Sequence, residues 1–360
     1  MGESLGRRGF LGRALQAGGS GAVVSGPAVT WHVASSYPRN LEILHGAAAY
    51  VAERVSTLTD GRFALRIFPP GELVPGLGVM DAVQQRSVHA GLTAGYYYVG
   101  KNPALAFDTA VPFGLSARQR FAWLYCAGGL ELLREVYADF GIHPIPLGST
   151  GGQMGGWFRT PVEGLDDLRG LRMRIPGIGG EIMARLGVSV QVLAGADVYP
   201  ALERGAIDAV EWVGPHDDER LGLHEIAPYY YYPGWWEPGV TTTLQVSRRA
   251  YRELPATYRQ ILESACREAT AVTLARYDAA NPAALSRLVE DHGVRLRAFP
   301  DPILRAAWNE SEAYMEERAA ADATFRRVHD SFRAFRSRIY PYFAGNELAF
   351  ARFAFPRLEF

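Results

Sequence analysis

Residues 29–71 decide the fold and read VTWHVASSYPRNLEILHGAAAYVAERVSTLTDGRFALRIFPPG. Val29–Ser35 predicts a β-strand, and Ile43–Leu58 predicts an amphipathic helix. Arg62–Phe68 predicts a second strand, which the Pro69–Gly71 turn stops. A strand, a helix and a strand in this order indicate two parallel strands joined by a right-handed crossover, the building unit of an α/β domain.

The same alternation of strand and helix continues along the chain. Further strands are predicted at Ala90–Ala94, Ile145–Leu147, Arg172–Ile175, Val188–Val192, Ala209–Val213 and Leu244–Ser247. We therefore expect α/β domains with mostly parallel sheets. A chain of 360 residues is long for one hydrophobic core and fits two domains of ordinary size.

Composition excludes several classes of function. The formal net charge is -1 and Lys101 is the only lysine, so the chain has no basic surface typical of nucleic-acid binding. Cys126 and Cys266 are the only cysteines, too few for a disulfide framework or, unaided, a zinc site. No apolar run reaches the 18 or so residues that a membrane-spanning helix needs.

The N-terminus indicates export. Residues 4–11, SLGRRGFL, resemble a twin-arginine export motif, and a weak apolar stretch follows from Ala14 to Val24. The alternative is a disordered start that contains an arginine pair by chance. We assign residues 1–27 to this signal-like or disordered segment and expect a periplasmic protein.

The C-terminal region carries a long stripe of mostly apolar residues. From Leu304 to Ile339 they recur at spacings of three and four, which predicts a helix of about 50 Å. Such a helix is longer than a small domain is wide. It either wraps around both domains or packs on a partner subunit, and periodicity alone does not decide between these.

Three segments combine polar groups with aromatic residues and glycines. They are residues 149–158 (STGGQMGGWF) together with 172–177 (RMRIPG), residues 208–215 (DAVEWVGP), and residues 229–239 (YYYYPGWWEPG). Each is a place where a buried ligand could be recognised. No nucleotide-binding glycine motif, His-Glu-x-x-His motif or serine or cysteine nucleophile motif accompanies them.

In these segments the chain resembles the solute-binding proteins of tripartite ATP-independent periplasmic (TRAP) transporters, in the branch that binds 2-oxo acids and lactate-like monocarboxylates. The pairing of Glu211-Trp212-Val213-Gly214-Pro215 with Tyr232-Pro233-Gly234-Trp235-Trp236-Glu237-Pro238-Gly239 is the most specific feature. Further matches lie at residues 71–75, 110–114, 153–158 and 171–180. Together these stretches span much of the chain after the N-terminal segment.

The resemblance implies an α/β, periplasmic-binding-protein-like fold with two α/β lobes, hinge strands and a long C-terminal helix. We expect lobe I to comprise residues 28–146 and about 221–250, and lobe II residues 147–220 and about 251–302. Residues 303–345 would form a long C-terminal helix that swaps between the subunits of a homodimer. TRAP membrane subunits would be the other protein partners.

Arg174 is the expected anchor for the carboxylate of the ligand. A guanidinium offers paired donors that match the two oxygens of a carboxylate. Arg172 lies two residues away, on the same face of a regular strand, so alternation does not choose between the two arginines. The resemblance selects Arg174, whereas the structural alternative is a surface arginine paired with Asp166 or Asp167.

The resemblance also implies a cation site formed by Gln153, Glu211, Glu237 and the backbone carbonyl of Trp212. Oxygen ligands suit a hard cation, calcium or sodium. Glu211, Glu237 and a bound monocarboxylate supply three negative charges against one positive charge on Arg174. This count favours calcium, provided that both glutamates are ionised and no other charge is near.

Other pocket residues follow from the same comparison. Tyr97 or Tyr98 would donate to the ligand from its phenol group, and Trp212 would form an apolar wall. Ser149, where many family members have asparagine, could still donate one hydrogen bond. His216, where many have an aromatic residue, fits the mouth of the pocket or an outer position better than a catalytic base.

The sequence therefore predicts a binding protein that carries a 2-oxo or 2-hydroxy monocarboxylate and performs no chemistry on it. Closure of the two lobes on ligand and cation would present a shape for the membrane subunits to recognise. One rival is a metal-dependent enzyme acting on a 2-oxo acid. Another is the binding component of a sensor.

Overall fold

The structure, a computed structural model, describes residues 26–355. Its strands are β1 Val29–Ser35, β2 Phe63–Phe68, β3 Ala90–Thr93, β4 Ile142–Gly151, β5 Trp157–Phe158, β6 Arg172–Arg174, β7 Ser189–Gln191, β8 Ala209–Val210, β9 Tyr229–Tyr232, β10 Val240–Ser247 and β11 Arg295–Ala298. The predicted export signal lies outside the described residues.

The helices alternate with these strands through most of the chain. They are α1 Gly46–Leu58, α2 Val79–Gln84, α3 Ala106–Thr109, α4 Ala117–Cys126, α5 Gly129–Ala138, α6 Gly177–Arg185, α7 Gly195–Glu203, α8 Pro215–Arg220, α9 Arg248–Glu253, α10 Ala256–Glu290, α11 Asp301–Ala321, α12 Ala323–Phe343 and α13 Ala349–Ala354. None of them, within residues 26–355, has the length and apolarity to cross a membrane. The mixed α/β class predicted from the sequence is confirmed.

The strands form two sheets. The first has the order β2-β1-β3-β10-β4, with β1, β2 and β3 parallel and β10 antiparallel to both of its neighbours. The second has the order β11-β9-β5-β8-β6-β7, in which β5 runs antiparallel to β8 and β9. Each sheet is thus mainly parallel with one reversed strand, β10 in the first sheet and β5 in the second. At each of these strands the chain enters from the other sheet.

Two short connections carry the chain between the sheets. Strand β4 ends at Gly151 in the first sheet, and the chain then enters the second sheet at β5; β9 ends at Tyr232 in the second sheet, and the chain returns at β10. Residues 152–156 and 233–239 therefore cross the gap side by side. These crossings lie within two of the three polar segments, residues 149–158 and 229–239.

The sheet membership differs from the expected lobe boundaries at two strands, β9 and the second half of β4, whose residues 147–151 belong to the first sheet. Strand β9, which the expected boundaries place in lobe I, pairs with β5 and β11 of the second sheet. Its tyrosine-rich sequence gave no indication of which sheet it would join. The exact division of the chain into lobes stays a prediction.

The predicted long C-terminal helix is present, but it begins later than expected. The stripe from Leu304 to Ile339 is divided by Asp322, whose backbone is extended and whose carboxylate accepts hydrogen bonds from the N–H groups of Thr324 and Phe325 at 2.7 and 2.8 Å. An N-cap of this kind starts a new helix. The long helix therefore runs from α12 through a π-helical turn into α13.

Helix α12 folds back against α11 within the same chain. Arg333 pairs with Glu316 at 2.7 Å, and Arg336 with Glu312 at 3.0 Å, which is the order of an antiparallel helix pair. Helix α12 also buries Phe325, Val328 and Phe332. The rings of Phe325 and Phe332 both lie 5.3 Å from that of Phe107. The first half of the predicted helix thus belongs to the core of the same chain.

Candidate ligand and cation site

Backbone hydrogen bonds join the three polar segments. The N–H of Gln153 donates to the carbonyl of Glu237 at 3.1 Å, and the N–H of Gly234 donates back to the carbonyl of Gln153 at 3.1 Å. The N–H of Met154 donates to the carbonyl of Val213 at 3.1 Å. Gly234 is required here, because a Cβ at this position would lie 2.4 Å from the Gln153 carbonyl oxygen.

Arg174 lies at the end of β6 and is buried, with 1% of its surface exposed. Its Nη1 donates to the carbonyl of Glu211 at 2.6 Å and to Glu211 Oε2 at 2.9 Å. The guanidinium also lies 4.8 Å from the centre of the Trp212 ring. Arg172 differs completely: it is exposed and forms a two-pronged ion pair with Asp208.

Several buried polar atoms of these segments have no partner. Among the residues that the structure describes, the indole nitrogens of Trp235 and Trp236 are two of them, and the other five are Gln153 Oε1, Arg174 Nη2, Glu211 Oε1, Trp212 Nε1 and Glu237 Oε2. We call these five residues the central polar cluster. Buried polar groups are nearly always hydrogen-bonded, and each unsatisfied one costs about 1–3 kcal/mol. Five in one cluster indicate groups reserved for something that binds there.

Burial raises the pKa values of the two carboxyl groups in the cluster, and repulsion from Glu237 adds to the effect at Glu211. Burial raises the pKa of Glu211 well above its usual range, and the nearby charge of Glu237 raises it further. Burial raises the pKa of Glu237 to about 8, although the charges of Arg174 and Arg120 act in the opposite direction. One positive side chain within the cluster is therefore too little to keep both carboxyl groups ionised.

A small cavity lies beside the cluster. It is lined by Tyr37, Leu44, Tyr96, Tyr97, Thr150, Gln153, Trp212, Val213, Val240 and Thr242. The cavity has a volume of ≈ 10 Å³, about enough for one water molecule. Gln153 and Trp212 of the cluster line it themselves, so the cluster lies next to this cavity.

Two predicted contact residues do not face the cavity. The hydroxyl of Tyr98 accepts a hydrogen bond from the Met80 N–H and is bonded to Thr93, both at 3.1 Å. The hydroxyl of Ser149 donates to the Val240 carbonyl at 2.7 Å. Both hydroxyl groups are therefore used inside the fold. That of Tyr98 bonds to α2 and β3, and that of Ser149 bonds within the β4–β10 ladder. Tyr97 and Trp212 do line the cavity.

Sequence reasoning missed two other aromatic residues that line the cavity, Tyr37 and Tyr96. Tyr37 follows the carboxyl end of β1, the edge at which open α/β sheets bind ligands, so its position was an available signal. Tyr96 lies in the Gly95–Tyr98 turn, a 3₁₀ helix in which neither strand alternation nor helical periodicity applies. His216, expected near the mouth, is not among the lining residues and accepts a hydrogen bond from Arg220 at 3.3 Å.

The cluster fits a hard cation better than a transition metal. Within residues 26–355, no group of three histidine, cysteine, aspartate or glutamate side chains could hold a metal ion. The unpartnered side-chain oxygens of Gln153, Glu211 and Glu237 are a mixed set of amide and carboxylate oxygens. Calcium and sodium bind through such sets.

Comparison with known proteins identifies the family. Residues 34–322 match the DctP model, described as bacterial extracellular solute-binding protein, family 7. A monocarboxylate 2-oxoacid-binding periplasmic protein of Nostoc sp. is 50% identical over 328 residues, which cover 91% of this chain and 90% of the relative.

Two solved structures share the fold. A TRAP transporter solute-binding protein of Bordetella bronchiseptica, a mixed-occupancy dimer with copurified calcium and picolinate in one active site, superposes with a TM-score of 0.90. It is 41% identical, with 92% of this chain and 98% of that chain covered. A protein of Pseudoalteromonas atlantica with bound sodium and pyruvate gives 0.88 and 37%, with 91% and 99% covered.

The family match, the 50% identical relative and the shared two-sheet fold agree with the resemblance found in the three polar segments. Members of this family are extracytoplasmic solute-binding proteins. The chain therefore belongs to the DctP family of TRAP transporter solute-binding proteins.

Proposed function

We propose that this protein captures a 2-oxo or 2-hydroxy monocarboxylate together with one hard cation and delivers both to TRAP membrane subunits. The observation that carries the proposal is the central polar cluster, in which five buried polar atoms of the described chain lack partners. One of them is a guanidinium nitrogen, and three are side-chain oxygens. The first suits an anion, and the other three suit a cation.

Arg174 is the proposed carboxylate anchor. Its Nη1 is held by Glu211, while Nη2 is buried without a partner in the described structure. A ligand carboxylate could therefore take Nη2 directly, or displace the Glu211 carboxylate and take both nitrogens. Stacking of the guanidinium on Trp212 fixes its plane and hence the direction of approach.

The chemistry of the relatives' ligands supports an acid with a second donor next to the carboxylate. Pyruvate and picolinate, present in the two solved structures, both carry an oxygen or nitrogen acceptor on the atom beside the carboxylate carbon. Such molecules can hold a cation between the carboxylate and that acceptor. The indole N–H of Trp212 and the Tyr97 phenol are the groups here that could read the same acceptor.

The charges around the cluster favour calcium, although the condition set by the sequence does not hold. Other charges are near: Arg120 acts on Glu237, Asp108 acts on Arg120, and Asp218 acts on Glu211. Arg120 and Asp108 cancel, and Asp218 adds a negative charge. With all these carboxyl groups ionised, a divalent cation leaves less net charge buried than sodium does.

We propose that the protein binds without catalysis. The cluster supplies a carboxylate anchor and cation ligands, but the described part of the chain brings no lysine beside it; its only lysine, Lys101, pairs with Asp81 on the surface. Pyruvate and lactate incubated with the protein and calcium should be recovered unchanged, as followed by proton NMR. Turnover in that assay would restore the enzyme hypothesis.

We also propose twin-arginine export and a homodimer formed through the C-terminal helix. Beyond the part of α12 that packs on its own chain, the helix exposes Tyr342, Phe350 and Phe353, at 62%, 64% and 93%. Large exposed aromatic groups so close together are typical of an interface. The Phe350→Ser, Phe353→Ser double variant should be monomeric in light scattering; a dimer equal to wild type would contradict the proposal.

A thermal-shift screen of 2-oxo and 2-hydroxy acids, with and without calcium or sodium, tests the function. A ligand at 100 times its Kd stabilises by about 2.7 kcal/mol. We expect the largest shifts when an acid and a cation are present together, because the negative charge of the acid and the positive charge of the cation offset each other in the buried site. If no acid raises the midpoint in either cation, the proposed function is wrong.

A further inference from the structure

Asp218 is a fully buried carboxylate in α8, the short helix that begins at the end of the 208–215 segment. Its Oδ1 accepts hydrogen bonds from the backbone N–H groups of Val213 at 3.1 Å and Gly214 at 3.0 Å. Its Oδ2 accepts from Trp157 Nε1 at 2.9 Å and from the Tyr230 hydroxyl at 2.8 Å. One side chain thus ties the loop after β8 to β5 and β9.

The Val213 N–H held by Asp218 belongs to the same peptide unit as the Trp212 carbonyl. Tyr232-Pro233 is the one cis peptide bond among residues 26–355, so the Trp212–Val213 peptide is trans and its C=O points away from its N–H. Fixing the N–H on Asp218 therefore fixes the direction of the carbonyl. A hydrogen bond to the N–H also polarises the carbonyl and makes it a better cation ligand.

The rest of this loop is held from the other side. The Val213 carbonyl accepts the N–H of Met154, the residue after Gln153, at 3.1 Å. Asp218 therefore anchors the one loop that joins Glu211 and Trp212 to Gln153. Asp218 does not line the cavity, so it acts through the backbone and not by touching a ligand.

We propose that Asp218 is the positioning residue of the cation site, which orients and polarises the Trp212 carbonyl through the Val213 N–H. This inference rests on the proposed function, because it presupposes that a cation binds to that carbonyl. It assigns to Asp218 a role in cation affinity that is separate from its contribution to folding. Four donors converge on it, which fits an ionised carboxylate that only accepts.

Asp217 provides a matched control at the adjacent position. It is equally buried, but its Oδ2 accepts one hydrogen bond, from the Tyr277 hydroxyl at 2.6 Å, and it makes no bond to the loop backbone. Asparagine has the same shape as aspartate. Asp217→Asn thus removes a buried carboxylate from the same turn without releasing the Val213 N–H.

The experiment is calorimetric titration of calcium chloride, with and without pyruvate, into wild type, Asp218→Asn and Asp217→Asn at a temperature where circular dichroism shows all three folded. Loss of a residue that orients a metal ligand costs about 10–100-fold in metal affinity. We expect a calcium Kd at least 10-fold weaker for Asp218→Asn and within about twofold of wild type for Asp217→Asn. The Kd for pyruvate at saturating calcium should change less than the Kd for calcium.

The outcomes separate the two proposals. Equal losses of calcium affinity in the two variants would overturn the role of Asp218 and leave the proposed function standing. A wild-type protein that binds neither calcium nor pyruvate would overturn both. If Asp218→Asn does not fold, Tyr230→Phe decides: it removes one of the four donors, and we expect calcium to bind about threefold more weakly, the effect of losing one hydrogen bond. Wild-type affinity in that variant would contradict the inference.

Discussion

Two glutamates of this chain lie in opposite environments. Glu263, at the edge of the first sheet, accepts hydrogen bonds from four side chains. These are Tyr251 at 2.6 Å, Arg134 and Arg267 at 3.2 Å, and His143 at 3.4 Å. The bond from His143, then the bond from Tyr251 and the charge of Arg134, lower its pKa to about 2 although burial acts against this. Burial raises the pKa of Glu237, in the central polar cluster, to about 8, and its Oε2 has no partner within the described residues.

The contrast between Glu263 and Glu237 separates a carboxylate that the fold itself satisfies from one that is left for a bound partner. The fold supplies four donors to Glu263, a carboxylate with a structural role. At Glu211 and Glu237 it supplies too few, although an unpaired buried charge is costly. The positive charge missing from the cluster is the one that a cation would bring.

The largest effect is expected at Arg174. Arg174→Lys keeps the charge but removes the fork that matches a carboxylate, and we expect the affinity for pyruvate in calcium to fall at least 100-fold, or about 3 kcal/mol. Calorimetry measures the loss. Arg172→Lys, two residues along the same strand, is the control and should bind as wild type, because Arg172 is exposed and paired with Asp208. Equal losses in both variants would contradict the assignment.

Glu237→Gln and Glu263→Gln should affect the protein in opposite ways. Removing Glu237 costs the cation a charged ligand, about 2 kcal/mol or 30-fold in calcium affinity, but should stabilise the unliganded protein at pH 8. Removing Glu263 should leave calcium affinity unchanged and destabilise the protein, because four donors lose a charged acceptor. Urea unfolding and calcium titration measure the two effects. A destabilised Glu237→Gln protein without calcium would argue against an unsatisfied carboxylate.

The pH dependence of stability should carry the same contrast. The folded-state pKa of Glu237 lies above the unfolded value, so its contribution is fully present below about pH 4.5 and is lost as the pH rises towards 8. That of Glu263 lies below, so its contribution is present above pH 4.5 and is lost as the pH falls towards 2. Each contributes at most about 1.4 kcal/mol per pH unit.

Urea unfolding from pH 5 to 8 measures this dependence. Without ligand, we expect the free energy of unfolding to decrease with pH, and to decrease less steeply in Glu237→Gln. Saturating calcium should flatten the wild-type curve, because it favours the ionised carboxylate. A curve with the same slope in wild type and Glu237→Gln would show that Glu237 does not titrate in this range.

The smallest effect is expected at the paired tyrosines. Tyr97 lines the cavity, so Tyr97→Phe should weaken pyruvate binding about 3–10-fold and leave stability unchanged, because one neutral hydrogen bond is worth about 1 kcal/mol. Tyr98 bonds to Met80 and Thr93, so Tyr98→Phe should cost stability and leave binding unchanged. Thermal unfolding and calorimetry separate the two; the reverse pattern would exchange their roles.

The sequence was most informative where residue chemistry is specific. The two-sheet α/β class and the meeting of Gln153, Arg174, Glu211 and Glu237 were predictable, because the motifs resemble those of a family with a known arrangement. Alternation could not separate Arg174 from Arg172. The structure explains why: both lie on β6, and what differs is that Arg174 is at its buried end, next to Glu211.

Features that depend on tertiary contacts were not predictable. The predicted ligand contact of Ser149 stays a prediction; the β4–β10 register gives its hydroxyl to the Val240 carbonyl, and no local pattern reveals that register. The break at Asp322 was hidden because two amphipathic helices in succession continue one apolar stripe. In hindsight, an aspartate before Ala323-Thr324-Phe325 is an N-cap signal that the stripe obscured.

The central claim is that the unpartnered atoms of the cluster are the ligand and cation contacts. A crystal structure of the protein with pyruvate and calcium, with the ion located by anomalous scattering, tests it most directly. We expect the pyruvate carboxylate to bind to the Arg174 guanidinium, and calcium to be bound by Gln153, Glu211, Glu237 and the Trp212 carbonyl. Pyruvate or calcium bound elsewhere, with those four oxygens still without a cation, would contradict it.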